Sequence, residues 1–153
     1  KLLVLGAMLP VWGVLWFLFQ PDFSAVTWGN ILIAVPAVVL GFTLNFLIGA
    51  TLTSVAFWTT RVWSLSEFYW AIVSLMSGQF VPLTLMPPFI QTIAAYLPFQ
   101  MFKYFPIQLV LGRLSPDEIV RGYVSGVVWL IVSALLFRWV WREGVKKYSA
   151  VGA

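Results

Sequence analysis

The chain has 153 residues, of which 61% are hydrophobic and only 9% charged, and a formal net charge of +4; soluble domains carry about 25% charged residues. With no cysteine and no histidine, it lacks the means for thiol chemistry, disulfides, imidazole metal sites and His-based acid/base catalysis. A bilayer-crossing helix takes about 20 apolar residues, so four such helices and their connections fill the chain and leave no room for a separate catalytic domain.

The first predicted span covers residues 2–19, interrupted by Gly6, Pro10 and Gly13 and ended by Gln20-Pro21-Asp22. Membrane helices tolerate such breakers when neighbours re-satisfy the freed backbone groups. The chain opens on Lys1, and the run that follows reads as a span rather than a signal peptide, so the expectation is a part of a longer protein. The second span, 31–58, would measure about 42 Å as a helix and must tilt, protrude or kink, with Pro36 the expected kink. Along it Gly41, Asn45, Gly49 and Thr53 recur at every fourth position, which puts a small and polar stripe on one face. Two readings follow: Gly41, Gly49 and Thr53 admit a neighbouring helix, or the stripe with Asn45 lines a translocation route. A buried amide such as that of Asn45 needs a partner in lipid.

Residues 59–67 form a short connection holding Arg61 and Glu67, with Trp58, Trp63 and Trp70 as an interfacial belt. The third span is predicted at 68–85. Four-residue spacing there sets Ser74, Gly78 and Pro82 on one face, with Ser77 and Gln79 beside it. Irregular helix at membrane depth belongs in buried protein or beside a water-filled cavity, so Ser74, Ser77, Gly78 and Gln79 are route candidates alongside Asn45. The segment 86–115 is too broken to cross: Pro87-Pro88 opens a short helix at 89–96, Leu97-Pro98 ends it, and a second follows Pro106 and stops at Gly112. Pro82, Pro87, Pro88, Pro98, Pro106 and Gly112 are its breakers, and the expected product is a re-entrant or interfacial helix pair.

Ser115-Pro116-Asp117-Glu118 is the clearest helix start, with Ser as cap, Pro at the first position and Glu three residues after the cap. The last span is predicted at 119–141, with Gly122 and Gly126 as a GxxxG packing pair, and 142–153 as a cytoplasmic tail. Both ends and the 59–67 loop would share one side, which holds Lys1, Arg61, Arg138, Arg142, Lys146 and Lys147. The other side holds Lys103, Arg113 and Arg121, so the basic excess places both ends in the cytoplasm and the broken helices outside. The chain thus reads as an all-α polytopic membrane protein: one transmembrane domain of four helices, with a re-entrant pair before the last. Its basic residues sit at membrane boundaries, which points to lipids as partners and not to nucleic acid. Asp22, Glu67, Asp117, Glu118 and Glu143 fall at helix ends or loops, so no mid-span carboxylate marks an ion-coupled pathway or a catalytic acid.

The stretch SGQFVPLTLMPPFIQTIAAYLPF (77–99), then YFPIQLVLGRLS ending at Ser115, and the ending RWVWREGVKKYSAVGA resemble the permeases of type 2 ATP-binding-cassette exporters, in the branch called ABC-2 family transporter proteins. The resemblance covers the second half well and the first half by span order. It implies a six-span subunit of which this chain supplies the third to sixth spans, the first two and the coupling helix preceding Lys1. It implies a bacterial cytoplasmic-membrane location, ATP-binding-cassette ATPase partners, and a second permease subunit, identical or related. ATP and Mg would bind the ATPase, so this chain needs no cofactor, catalytic residue or metal and is not itself an enzyme. The resemblance maps Ser74, Ser77, Gly78 and Gln79 near the route. The rival reading is a non-transport subunit that organises lipid or protein in a larger membrane complex.

Overall fold

The structure, a computed structural model, describes residues 2–20, 24–59, 61–79, 81 and 83–149. Pro82 and the end of the expected tail from residue 150 lie outside the described residues. The helices run in the order α1 (Leu2–Phe19), α2 (Trp28–Ser54), α3 (Val62–Met76), α4 (Pro88–Tyr96), α5 (Tyr104–Val110) and α6 (Pro116–Ser149), and no strand occurs among the described residues. Single 3-10 turns at Val55–Phe57, Leu83–Leu85 and Pro98–Phe102 join them.

α2 begins where Thr27 caps it, its hydroxyl accepting from the Asn30 N–H at 3.2 Å. It continues through Pro36 to Ser54. Pro36 offers no N–H to the Leu32 carbonyl, and one residue on, the Ile33 carbonyl accepts the Tyr123 hydroxyl from α6. A neighbouring helix thus serves the backbone next to the proline, as a bilayer requires.

α6 starts at the box read from Ser115 to Glu118. Glu118 Oε2 accepts from the Ser115 N–H and hydroxyl, each at 2.8 Å, and the Glu118 N–H donates back to Ser115 Oγ at 3.4 Å. The backbone bond from Ser115, then its hydroxyl, hold the Glu118 carboxyl below its ordinary value. Its capping contribution is therefore complete above the ordinary carboxylate pKa and is lost as pH falls through the lower folded value. Hydrogen exchange of the first-turn amides of α6 should be faster in Glu118→Ala than in the wild type at neutral pH, and the gap should close in acid. A gap that stayed constant with pH would exclude the ionised cap.

One expected helix moves its boundaries. The third span, predicted at 68–85, is a helix that starts at Val62 and stops at Met76. Ser77 is its C-cap and Gly78 has φ of +74°, the left-handed turn that closes helices and that glycine adopts without strain. Gly78 consequently does not share a helix face with Ser74. α6 continues without a break to Ser149, so the expected tail is helical up to that residue, with Lys146 and Lys147 beside the negative end of its dipole.

The broken segment is part of the core. Ala34, Ala37 and Leu44 on one face of α2 meet Met101, Phe105 and Leu109 from the Pro98–Phe102 turn and α5, while Tyr123, Trp129 and Leu130 of α6 flank them. The Trp129 indole donates to the Tyr96 carbonyl at 2.9 Å, satisfying the end of α4. α5 starts at Tyr104, two residues before Pro106, because proline is tolerated in a first turn whose N–H groups lack helical partners. It ends in a Schellman motif: Gly112 at φ +62°, its N–H on the Leu109 carbonyl at 3.0 Å and the Arg113 N–H on Gln108 at 3.1 Å.

α2 with its 3-10 extension and α6 are long and apolar enough to cross a membrane; α1 and α3 contain shorter apolar runs, Met8–Leu18 and Val62–Met76. Only 22% and 11% of the two long apolar windows are buried, unlike the core helix of a soluble protein. Rows of exposed Trp, Phe, Leu and Val on α1, α2 and α6 form a surface that water would not stabilise.

Candidate functional site

The stripe Gly41, Asn45, Gly49, Thr53 divides in two. At Gly41 an added Cβ would strike the Met101 carbonyl, and Phe102 Cα lies 3.5 Å away, so glycine is what lets the Pro98–Phe102 turn lie on α2. Gly49, expected at a helix contact, has no atom within 4 Å of where its Cβ would be. Gly49 and Thr53 instead line a groove of about 520 Å³ between the C-terminal half of α2 and α6.

Asn45 stands in the lining of that groove, with Phe46, Ala50, Phe57, Phe137 and Trp141 supplying apolar walls. Trp141 meets Phe57 edge-on at 5.7 Å between ring centroids and lies 6.0 Å from Phe137. The groove's hydroxyls are satisfied on their own helix: Thr53 donates to the Gly49 carbonyl at 3.0 Å and Ser54 to Ala50 at 2.7 Å. The Asn45 Oδ1 is buried and has no hydrogen-bond partner among the described residues. An unpaired buried acceptor costs about 1–3 kcal/mol, which makes Asn45 the chemically distinctive residue of this face.

The second candidate group lies elsewhere. None of Ser74, Ser77, Gly78 or Gln79 lines the groove. Ser77 is 1% exposed and its Oγ is buried without a partner among the described residues. Gly78 faces the Tyr104 ring and Leu83. Gln79 is exposed, and its Oε1 accepts from the Lys103 ammonium at 2.6 Å. This pairing ties the end of α3 to the broken segment. Sequence reasoning placed Lys103 only as a lipid anchor, because nothing local in the chain joins residues 24 positions apart.

The GxxxG glycines of α6 both meet side chains. A Cβ on Gly122 would run into the Phe105 ring, and one on Gly126 into Leu40 with Met101 Sδ at 3.0 Å. Gly144 holds the same relation to Phe57 and was missed; its small-residue partner would have been position 140 or 148, which are Val140 and Tyr148. Pro87 and Pro88 open α4, Pro98 ends it and is buried, and Pro106 is buried in α5. Among the described residues no group of three or more His, Cys, Asp or Glu could hold a metal ion.

Long apolar helices with little internal burial and a broken helical segment packed between them define an all-α chain of the integral membrane class. The chain belongs to the ABC-2 family transporter proteins, whose family model matches residues 4–152. No curated protein and no solved structure matches it. Membership makes it a membrane component of a transport system, working in a family whose members function with ATPase subunits.

Proposed function

We propose that the chain is the permease subunit of an ATP-driven exporter, forming the translocation route while a separate ATP-binding-cassette subunit hydrolyses ATP. The observation that carries this is the family match over nearly the whole chain. The sequence has no Gly-rich phosphate loop with Lys and Ser/Thr, so ATP and Mg belong to the partner. A second permease subunit, identical or related, completes the route.

In this reading α1, α2, α3 and α6 are the four spans. α3 has 15 residues, about 22 Å of helix, less than the roughly 30 Å of a hydrocarbon core. The turn at Gly78 and the 3-10 turn at Leu83–Leu85 continue its crossing, and such backbone is stable at depth only inside protein or beside water. That supports Ser74, Ser77, Gly78 and Gln79 as route residues, with Asn45 and its groove on the cytoplasmic half of α2. α4 and α5, of nine and seven residues, are the re-entrant pair on the outer side. The basic excess favours both ends of the segment in the cytoplasm, and the resemblance to the bacterial branch of these permeases implies a bacterial cytoplasmic membrane.

Gentle purification of the complex through the full-length protein, followed by mass spectrometry, is expected to recover a stoichiometric ATP-binding-cassette subunit. Its reproducible absence, with other membrane proteins present instead, would favour the non-transport subunit. Within the assembled complex, Gln79→Ala deprives Lys103 of its acceptor. It should change substrate-stimulated ATPase activity by up to about fivefold, the range of an exposed charged contact, without reducing assembly. Unchanged stimulation would remove Gln79 from the route.

A further inference from the structure

A second cavity, of about 530 Å³, opens where the broken segment meets the start of α6. Leu97, Met101 and Phe105 give it apolar walls, and its polar lining includes Tyr104, Ser125, Glu118 and Arg121, the last two being its charged residues. Gln100 and Gln91 also line it, each with its amide nitrogen on a wall carbonyl: Gln100 Nε2 donates to Ala94 at 2.5 Å, and Gln91 Nε2 to Met86 at 2.7 Å.

Arg121 is held by one bond, from its Nε to the Asp117 carbonyl at 3.3 Å. Its two terminal NH2 groups have no hydrogen-bond or ion-pair partner among the described residues. Glu118 spends Oε2 on both Ser115 donors, which leaves Oε1 without a hydrogen bond among the described residues, within the electrostatic reach of Arg121. The cavity therefore presents one cation and one anion, three residues apart on the same helix, above an apolar wall.

Their order along α6 matches a bilayer interface. α6 has 34 residues, about 51 Å of helix, which exceeds a hydrocarbon core of roughly 30 Å by about 20 Å in all, so its first turns stand at the outer boundary. Arg121, five residues beyond Pro116, lies about 7.5 Å along the helix from its start, on the core side of that boundary region. Glu118 lies about 4.5 Å nearer to water. A phospholipid whose headgroup ends in an ammonium has the same order from core to water: acyl chains, phosphate, ammonium.

We propose that this cleft is a binding site for an ethanolamine-type zwitterionic phospholipid, its phosphate on Arg121, its ammonium at Glu118 and its upper acyl chain against Leu97, Met101 and Phe105. Arg suits phosphate through paired N–H donors, and the neighbouring carboxylate disfavours a headgroup of net negative charge. The inference rests on α6 crossing a bilayer, as in the proposed function, and not on transport.

The test is native mass spectrometry of the full-length protein in detergent. It is offered phosphatidylethanolamine and phosphatidylglycerol of the same acyl chains in equal amounts. The wild type should retain the ethanolamine lipid about fivefold over the glycerol lipid. Arg121→Ala should lower retention of the ethanolamine lipid about tenfold, a charge-assisted contact being worth about one decade, and Arg121→Lys should restore part of it. Glu118→Gln keeps a capping residue at the third helical position and should bring the two lipids to parity. Equal retention by the wild type, or undiminished ethanolamine lipid in Arg121→Ala, would overturn the proposal. Displacement of the lipid by equimolar glycerophosphoethanolamine, which has no acyl chains, would also overturn it, showing a site for soluble phosphate. A lipid result of either sign leaves copurification of the ATPase unaffected, so the two readings fail separately.

Discussion

Gly41→Ala is expected to destabilise the protein by about 2 kcal/mol, and Gly49→Ala, two helical turns along the same face, to stabilise it by up to about 1 kcal/mol. Alanine in place of glycine in a helix gains about 1 kcal/mol from reduced backbone freedom in the unfolded chain, and that gain applies at both positions. At Gly49 nothing opposes it among the described residues, since no atom beyond its own helix turn lies within 4 Å of the new methyl. At Gly41 the methyl meets the carbonyl of Met101, and Phe102 Cα is 3.5 Å away. These are backbone atoms of a turn that starts at the buried Pro98 and carries the buried Met101 into the core, so no rotamer change relieves the clash. Overpacking costs about 1–3 kcal/mol where side chains can adjust and more where they cannot, so the net sign is a loss. Thermal or denaturant unfolding of the two variants in the same detergent measures this directly. A stabilised Gly41→Ala would mean that the turn does not lie on α2.

Gly122→Leu is expected to lose about 3 kcal/mol and most of the assembled complex. The position of its Cβ is taken by the ring of Phe105, which is 5% exposed and packs edge-on against Tyr123 at 5.4 Å. A leucine forces that ring out of the core cluster, giving up its close contacts. In lipid those contacts matter more than apolar burial as such, because acyl chains are as apolar as the side chains they would replace, and packing is what distinguishes the assembled state. Gly126→Leu meets the flexible Leu40 side chain and the Met101 sulfur and should cost less. If the effect at Gly122 runs through Phe105, then Gly122→Leu combined with Phe105→Ala should be less destabilised than the sum of the two single changes. Strict additivity would exclude that contact as the cause.

Much of the backbone was legible because its signals are local. The cap at Ser115 and Glu118 needs only four consecutive residues, and the stop at Gly112 needs only a glycine after a short apolar run. α3 was misread because apolar residues continue past Met76 and hide its end. Gly78 was counted as a small residue on a helix face, whereas its left-handed backbone terminates that helix. The same residue type serves both purposes, and sequence spacing does not distinguish them. The candidate site was legible in part: Asn45 was singled out as an amide that needs a partner, and its Oδ1 is unpaired among the described residues. The Lys103–Gln79 bond and the cleft around Arg121 were not legible, since each joins segments far apart in the chain.

The sequence by itself determined that this is an apolar, helical membrane chain of the ABC-2 family, where its last long helix begins and where its broken segment must turn. Those properties depend on composition, on family motifs and on hydrogen bonds between near neighbours. Only the tertiary structure decided which half of the Gly41–Thr53 stripe is packed and which half is an open groove. Four-residue spacing guarantees a common helix face, but it is silent about what faces it. At Gly41 that is the Met101 backbone, and at Gly49 it is empty space.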